Sequence, residues 1–484
     1  MVLWRPGLAT DDDGMNYIST RGAAPRVGFT EALLAGLAPD GGLYMPESWP
    51  RISDADIAGF AGRPYAEVAA DIFGRFIGDE IARDTLRRLC AEAYATFDHA
   101  AVTPLVQLSP GEFLLELFRG PTLAFKDVAM QILARLYEHA LSTRGRTLTI
   151  VCATSGDTGG AAVEAFKGRA NVRIIALFPE GRISEVQRRF MTTDAQANAR
   201  AVAVAGDFDD CQAIVKALFH DPAFSREVDL SGVNSINIAR IIAQSVYYFT
   251  AAAALGAPTR PVRFCVPTGN FGDAYAGYAA RRMGLTISAF TAATNRNDIV
   301  ARALTSGRYE RGAASATQSP AMDIQVASNF ERLFFECAGR DVGLTAAAFE
   351  DFAATGAIDI PHNILAGMRE VLTGVSVTED ETSRTMARVL ADTGELIDPH
   401  TAVAVAGARA SAGAQTGAQT APLVILATAH AAKFPEAVSA ATGVTPGAPP
   451  VVGDRLSLPE VFDRLPADID AVKTYVRDVV SERA

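Results

Sequence analysis

The chain has 484 residues, of which 49% are hydrophobic, so it is long enough for several domain-sized units with a large apolar core. Its formal net charge of −11 gives no basic footprint, and we therefore expect no nucleic-acid partner. The apolar runs are all shorter than the roughly 18 residues that a membrane span needs, so no membrane association is expected.

The five cysteines are scattered along the chain and contain no C-x-x-C pair. An odd, scattered set is typical of reduced thiols and not of a disulfide framework, so we expect a cytoplasmic protein. The six histidines show no metal-binding spacing, and no metal site is predicted.

The N-terminal part predicts two different kinds of segment. Residues 1–14 are polar, include three consecutive aspartates, and are predicted to be a disordered extension. Residues 15–98 predict a compact, mainly helical unit, because apolar residues recur at helical spacing over 65–76 and 81–97.

From about residue 100, short β-branched runs alternate with alanine-rich helical segments. This alternation predicts an α/β fold with parallel sheets covered by helices. Strands are predicted at 147–151, 172–178, 201–205, 262–266, 287–292 and 423–427, and helices from 161, at 208–219 and at 274–283. Residues 411–422 contain Gly-Ala-Gln-Thr twice and predict a flexible connector, and residues 454–484 predict one or two helices on the surface of the core.

Lys126 lies near the end of the run Phe-Arg-Gly-Pro-Thr-Leu-Ala-Phe-Lys-Asp at 118–127. The turn residues before it and the apolar stretch at 128–136 after it predict a loop-to-helix junction beside apolar surface. Burial there would lower the pKa of the lysine and favour the neutral amine, which can form a Schiff base or abstract a proton. The alternative is an exposed lysine at a helix start.

A first glycine-rich turn, Ala-Thr-Ser-Gly-Asp-Thr-Gly-Gly at 153–160, joins a predicted strand to a predicted helix. Its backbone N–H groups and hydroxyls, together with the helix dipole, would suit a carboxylate or phosphate. The alternative is a simple turn with Asp157 or Thr158 as helix cap. Neither the dinucleotide nor the nucleoside-triphosphate fingerprint is present.

A second glycine-rich turn, Pro-Thr-Gly-Asn-Phe-Gly-Asp at 267–273, has the same strand–loop–helix setting. Gly269 and Gly272 allow a tight backbone cradle, which suits a phosphate group, although a plain turn is again the alternative. Two such cradles in one chain favour a ligand with a phosphate and a second anionic end.

Two further clusters contain candidate ligand-binding groups. Arg240, in the run 234–240, is either a phosphate or carboxylate clamp or a surface arginine. Thr428 follows the last apolar strand, at the position where parallel sheets bind ligands. His430, followed by Lys433, is either catalytic, structural or substrate-lining.

Together these motifs resemble pyridoxal-phosphate enzymes of the tryptophan-synthase β type, and more closely the threonine synthase family, in the branch with an extra N-terminal domain. The resemblance runs in order from about residue 15 to the end, and residues 16–22 resemble that branch's opening. It is carried by six motifs, at 120–127, 153–159, 206–212, 234–237, 267–273 and 428–434.

The resemblance implies an α/β fold, pyridoxal-phosphate fold type II, with two parallel-sheet subdomains and a mainly helical N-terminal domain. The implied boundaries are 15–98 for the N-terminal domain, 99–445 for the catalytic core with a smaller subdomain inserted at about 145–245, and 446–484 for a C-terminal extension.

The resemblance also implies roles for residues that match the family's motifs. Lys126 would be the Schiff-base lysine, and Thr428 would bond the pyridine nitrogen of pyridoxal 5'-phosphate. The cofactor phosphate would be held by Gly269, Asn270, Phe271, Gly272 and Asp273. The substrate and the cofactor's ring edge would be bound by Thr154, Ser155, Gly156, Asp157 and Thr158. The substrate phosphate would be held by Ser235, Asn237 and Arg240.

The implied reaction converts O-phospho-L-homoserine and water into L-threonine and phosphate. The alternatives are a phospholyase that yields a keto acid and ammonia, or a serine/threonine dehydratase-like enzyme. A nucleotide-dependent dehydrogenase is disfavoured by the missing fingerprint, and a non-catalytic ligand-binding protein is a further alternative. Because no association element is evident, we expect a monomer or a weak homodimer.

Overall fold

The computed structural model describes residues 14–233, 235–411 and 421–482. The predicted extension at 1–14 therefore lies outside the described residues except for Gly14, and so does most of the predicted connector at 411–422. Within the described ranges, no helix is long and apolar enough to cross a membrane.

Four helices and a small antiparallel sheet form the N-terminal part. These elements are β1 (Tyr17–Ser19), α1 (Phe29–Ala35), β2 (Tyr44–Pro46), α2 (Asp54–Gly59), α3 (Tyr65–Ile77) and α4 (Arg83–Tyr94). Helices α3 and α4 are the two helices that the apolar spacing predicted. In α3, Val68, Ile72 and Phe76 recur at helical spacing and are buried, because this face packs into the main hydrophobic core.

A hairpin and one long helix follow the N-terminal part. They are β3 (Leu105–Ser109), β4 (Glu112–Glu116) and α5 (Lys126–Arg144). Every residue from 126 to 137 is buried, so the first half of α5 runs through the protein interior.

The next segment builds a parallel sheet with helices around it. Its elements are β5 (Leu148–Ala153), α6 (Asp157–Phe166), β6 (Val172–Pro179), α7 (Glu185–Thr192), β7 (Ala199–Ala205), α8 (Phe208–Phe219), α9 (Pro222–Glu227) and β8 (Leu230–Ser231). Strands β5, β6 and β7 are the three strands predicted here, and α8 has the bounds predicted from the sequence.

The chain then returns to a second, six-stranded sheet. The elements of this segment are α10 (Ile238–Ala254), β9 (Val262–Pro267), α11 (Gly272–Met283), β10 (Ile287–Thr294), α12 (Ile299–Ser306), β11 (Arg308–Glu310), α13 (Phe330–Cys337), α14 (Val342–Thr355), β12 (Ala357–Asp359), α15 (His362–Arg369), β13 (Leu372–Ser376), α16 (Glu379–Thr393), α17 (Pro399–Ser411), β14 (Leu423–Ala427) and α18 (Pro435–Thr442). Strands β11 and β12 pair with each other in a separate two-stranded antiparallel sheet. The sheet order is β13-β10-β9-β14-β4-β3, and only the β3–β4 pair is antiparallel.

The C-terminal segment contains α19 (Pro450–Ser457), β15 (Asp463–Pro466) and α20 (Ile469–Ser481). Strand β15 pairs in parallel with β7 and completes a five-stranded sheet, β15-β7-β6-β5-β8. The prediction of helices alone was therefore incomplete. It missed β15 because this strand has only four residues, of which Leu465 alone is partly buried and the other three are exposed, so no apolar alternation marks it.

The two parallel sheets place the motif loops at comparable positions. The turns at 154–158 and 268–271 and the residue Thr428 follow the carboxyl ends of β5, β9 and β14. In α/β proteins, these strand ends are where ligands bind. The predicted fold class, α/β with parallel sheets, is confirmed.

Candidate active site

Lys126 is the first residue of α5, and its position is set by the segment before it. Ala124 forms an antiparallel bridge with Ala429, and the Phe125 N–H donates to the Thr428 carbonyl at 2.8 Å. These contacts bring the predicted Schiff-base lysine and the predicted strand-end hydroxyl to adjacent loops, as the sequence motifs imply.

A buried carboxyl group braces the turn before Lys126. Asp127 accepts hydrogen bonds from the Thr122 N–H at 2.8 Å and from the Thr122 hydroxyl at 2.7 Å. Gly120 is needed here because a Cβ on it would lie 2.5 Å from Cβ of Asp127. Burial raises the pKa of Asp127 to about 6, against the opposing effect of the two Thr122 bonds.

The surroundings of Lys126 favour its neutral amine. The residue is 9% exposed, and its Nζ lies 4.6 Å from the centroid of the Phe125 ring. Burial lowers the pKa of Lys126, and the cations Lys433 and Arg240 add to this, whereas Asp157 opposes it. A neutral amine is the form that attacks a carbonyl or takes a proton, as the sequence predicted.

Asp157, the first residue of α6, lies between two buried lysines. Its Oδ2 is 3.7 Å from Nζ of Lys126, and its Oδ1 is 2.6 Å from Nζ of Lys433. Although burial acts to raise it, Lys433, Lys126 and His400 hold the pKa of Asp157 well below its ordinary value. The first turn is therefore not a simple capped turn, because this side chain faces the lysine.

Of the other residues of the first turn, some stabilise its conformation and some are partly exposed to solvent. The Thr154 hydroxyl accepts from the N–H groups of Gly156 and Gly159 at 2.9 and 2.8 Å, so it closes the turn on itself. Gly156 has φ +125°, and a Cβ there would overlap the side-chain amide of Gln187. Ser155 and Thr158 are partly exposed, and α6 begins without a side-chain cap.

The second turn forms the predicted backbone cradle at the start of α11. Phe271 precedes the helix with φ +62°, and no side chain caps its first turn. A Cβ on Gly269 would lie 3.0 Å from the backbone of Met322, so this glycine allows a neighbouring loop to pack closely. Gly272 and the carbonyl of Asn270 both lie beside Asn329.

Asp273 follows the cradle but does not direct its carboxylate at an anion. Its Oδ1 accepts hydrogen bonds from the hydroxyls of Tyr247 and Tyr248, while Oδ2 has no partner within the described residues. Burial raises the pKa of Asp273 to about 7, against the effects of the two tyrosines and Lys126. A role in holding phosphate would therefore fall to its backbone N–H, which belongs to the first turn of α11.

Arg240 on α10 is buried, with 3% exposure, and is not the surface arginine of the alternative. Its Nε and Nη1 have no hydrogen-bond partner in the part of the chain that the structure describes. Burial lowers its pKa to about 10, so it remains a cation at neutral pH. A buried cation with free donors costs folding free energy, and it fits a site that an anionic ligand completes.

The neighbours of Arg240 in the sequence have different placements. Asn237 caps α10 by accepting from the Ala239 N–H at 3.0 Å, and it donates to the Leu33 carbonyl at 2.8 Å and to the Tyr137 hydroxyl at 3.2 Å. This amide holds the N-terminal part against α5 and α10, so the structure gives it a bracing role, and substrate binding by it stays a prediction. Ser235 is partly exposed, and its carbonyl accepts from Asn329 at 3.1 Å.

The sequence analysis did not identify Asn329 and Arg332, which connect the segment before α10 to the second glycine-rich turn. Asn329 Nδ2 donates to the carbonyls of Ser235 and Asn270, both at 3.1 Å, and Arg332 binds Asn329 and the Ile236 carbonyl. No local motif marks these residues, since the carbonyl groups of Ser235, Ile236 and Asn270 lie 59 to 96 positions away from them in the sequence.

His430 is a structural residue in this geometry. Its Nδ1 accepts from the Ala432 N–H at 3.1 Å, which caps the short 3-10 helix Ala431–Lys433. Its ring packs edge-on against Phe118 at 5.3 Å, and burial followed by the charge of Arg119 lowers its pKa.

The residues present fit pyridoxal phosphate. A buried lysine amine suits its aldehyde, a backbone cradle with an uncapped helix start suits its phosphate, and a buried hydroxyl at a strand end suits its ring nitrogen. Fold and site together define a pyridoxal-phosphate-dependent enzyme of fold type II.

Comparisons with known proteins agree with this class. Residues 96–428 match the family described as pyridoxal-phosphate dependent enzymes, residues 16–94 match the threonine synthase N terminus, and residues 401–476 match the threonine synthase C-terminal family. A threonine synthase of Pseudomonas aeruginosa is 46% identical over 463 residues, covering 96% of this chain and 98% of the relative.

Solved structures agree as well. The pyridoxal-phosphate-bound threonine synthase of Brucella melitensis has 51% sequence identity and a TM-score of 0.94, covering 97% of this chain and 100% of that one. The yeast threonine synthase has 36% identity and a TM-score of 0.91, covering 97% and 99%. The chain belongs to the threonine synthase family, and the predictions of family, fold type and cofactor are confirmed.

Proposed function

We propose that this enzyme converts O-phospho-L-homoserine and water into L-threonine and phosphate. The predicted function, threonine synthase, is confirmed by the comparisons at the level of the family. The observation that supports this substrate most directly is the buried guanidinium of Arg240, whose Nε and Nη1 have no hydrogen-bond partner within the described residues and whose charge acts on Lys126. An amine for proton transfer and a clamp for a departing phosphate are the two groups that the reaction needs from the protein.

Lys126 moves protons in this proposal. Its neutral amine, which burial favours, takes the proton from Cα of the substrate and returns protons later in the reaction. The same group serves for the Cβ proton, because it is buried at one position, 3.7 Å from Oδ2 of Asp157. When bound, pyridoxal phosphate supplies an electron sink for the negative charge that develops at these carbons.

Arg240 binds and stabilises the leaving phosphate. The bond from Cγ to the phosphate oxygen breaks with its electron pair on the oxygen, and the guanidinium donates hydrogen bonds to that growing charge. A proton is then returned to Cγ, which becomes the methyl group. The hydroxyl of a water molecule adds at Cβ and a proton is returned to Cα, which gives threonine. The cradle at 269–273 and Thr428 orient the cofactor, and Ser155 and Thr158 lie where the amino-acid end of the substrate would bind.

Product analysis after incubation with O-phospho-L-homoserine tests the proposal. Equal amounts of phosphate and threonine are expected. Phosphate with a keto acid and ammonia would assign the chain to the phospholyase alternative, and the absence of phosphate release would remove both the substrate and the clamp role of Arg240.

Membership of the family implies a small-molecule substrate. The cellular location of the protein and its oligomeric state are further proposals. The five cysteines are free, with four of them buried, which supports the expectation of a reducing cytoplasm. A monomer or weak homodimer remains the prediction made from the sequence.

A further inference from the structure

A second buried lysine, Lys433, lies beside Asp157 of the candidate active site. It is 1% exposed and belongs to the short 3-10 helix that follows Thr428. Its Nζ donates to the Thr122 carbonyl at 2.9 Å and lies 5.6 Å from the centroid of the Phe190 ring. The amine is thus fixed between the turn that precedes α5 and the helices α6 and α7.

The two oxygens of Asp157 are divided unequally between the two lysines. Oδ1 is 2.6 Å from Nζ of Lys433 and accepts from the Gln187 amide at 2.9 Å, whereas Oδ2 stays 3.7 Å from Nζ of Lys126. The close ion pair is therefore with Lys433. Without that partner, the buried carboxylate would be compensated mainly by Lys126, which would then retain its proton more strongly.

We propose that Lys433 is a positioning residue, which holds Asp157 ionised and paired away from Lys126 and so lets Lys126 reach its neutral form. It acts through Asp157 and the Thr122 turn and needs no contact with the substrate. The inference rests on the proposed function, because it takes Lys126 as the lysine that carries the cofactor.

The charges around these groups support the direction of the effect. Burial lowers the pKa of Lys126, and Lys433 and Arg240 lower it further, while Asp157 raises it. Asp273 on α11 faces Lys126, and His400 on α17 faces Asp157. Asp127 on α5 faces Lys433. Removing Lys433 deletes one cation that lowers the pKa of Lys126, and it leaves the carboxylate of Asp157, which raises that pKa, without its close partner. Both changes therefore raise the pKa of Lys126.

The test is a spectrophotometric pH titration of the holoenzyme, which follows the absorbance of the bound cofactor. Lys433→Met removes the charge, Lys433→Gln removes it but keeps hydrogen-bond donors, and Lys433→Arg restores the charge. Lys167→Met is the matched control, since Lys167 pairs with Glu164 and Asp194 at 2.9 and 2.7 Å and does not face Lys126.

We expect the titration midpoint to rise by about one pH unit in Lys433→Met, a tenfold gain in proton affinity. Lys433→Gln should shift in the same direction, and Lys433→Arg and Lys167→Met should stay near the wild type. For a variant that loses its cofactor, the pH dependence of pyridoxal-phosphate capture by the cofactor-free full-length chain gives the same comparison, with capture requiring higher pH.

An unchanged midpoint in folded Lys433→Met or Lys433→Gln overturns the inference, even when the melting temperature falls, because a purely structural role predicts that result. An equal shift in Lys167→Met overturns it as well. Failure of the proposed function looks different: product analysis would then show no threonine, whereas the titration midpoints of wild type and Lys433→Met would still be compared. A wild type with no cofactor bound to a lysine would overturn the inference as well.

Discussion

Replacing Arg240 with methionine should separate activity from stability. The variant removes a buried guanidinium of which two nitrogens, Nε and Nη1, have no partner within the described residues. If both donate to the substrate phosphate, each charge-assisted hydrogen bond contributes about 1.5–3 kcal/mol, or about 3–6 kcal/mol together. The expected fall in kcat/KM is then roughly 10²- to 10⁴-fold.

The stability of the ligand-free protein, unlike its activity, should not fall when Arg240 is replaced. An unpaired buried charge destabilises the ligand-free protein, so Arg240→Met should have an unchanged or higher melting temperature without ligands. Inorganic phosphate should raise the melting temperature of the wild type more than that of the variant, because it binds the free guanidinium.

Arg135→Met is the matched control for this experiment. Arg135 is also buried, its Nε also lacks a partner in the described part of the chain, and burial likewise lowers its pKa to about 10. It lies nine positions beyond Lys126 on α5, about 13 Å along the helix axis. Phosphate release assays at varied substrate concentration give kcat/KM for each variant. A value for Arg240→Met close to wild type, or an equal loss in Arg135→Met, would refute the clamp.

Three further predictions test the rest of the site. Lys126→Ala should fold, as judged by circular dichroism, yet show no turnover; near-normal turnover would remove Lys126 from catalysis. Gly269→Ala places a Cβ 3.0 Å from the Met322 backbone and should weaken pyridoxal-phosphate binding in a titration, and unchanged affinity would contradict the cradle. Burial raises the pKa of Asp273 to about 7, so its carboxyl destabilises the fold increasingly as pH rises from about 4 to about 7. The melting temperature of Asp273→Asn should therefore exceed that of the wild type at pH 8 but not at pH 4. An equal difference in melting temperature at both pH values would contradict this prediction.

The sequence was most informative where chemistry depends on local order. The predicted order of strand, glycine-rich turn and helix is found after both β5 and β9. The helices α6 and α11 begin at Asp157 and Gly272, earlier than the predicted starts at 161 and 274, because the last residues of each turn already belong to the helix. The break at 120–122 and the apolar stretch after it placed Lys126 at the first residue of α5. The two glycine-rich turns were therefore recognisable as strand–turn–helix loops without knowledge of distant contacts.

Partners that are far apart in the sequence could not be predicted in this way. Nothing near Lys433 indicates that its amine meets Asp157, and nothing near Asn237 indicates that its amide binds the Leu33 carbonyl and the Tyr137 hydroxyl. Such contacts depend on how the two sheets and the N-terminal helices pack, and hydrophobic periodicity does not encode that packing at the level of single polar atoms. Strand β15 was missed for a similar reason, since its backbone pairs with β7, which lies more than 250 positions earlier in the sequence.

The most direct test of the central claim is to find which lysine carries the cofactor. The holoenzyme would be reduced with borohydride and digested, and mass spectrometry would locate the pyridoxyl group among the peptides. The group is expected on Lys126 and not on Lys433, although both amines are buried and flank Asp157. A pyridoxyl group on Lys433, or on any lysine other than Lys126, would contradict the account.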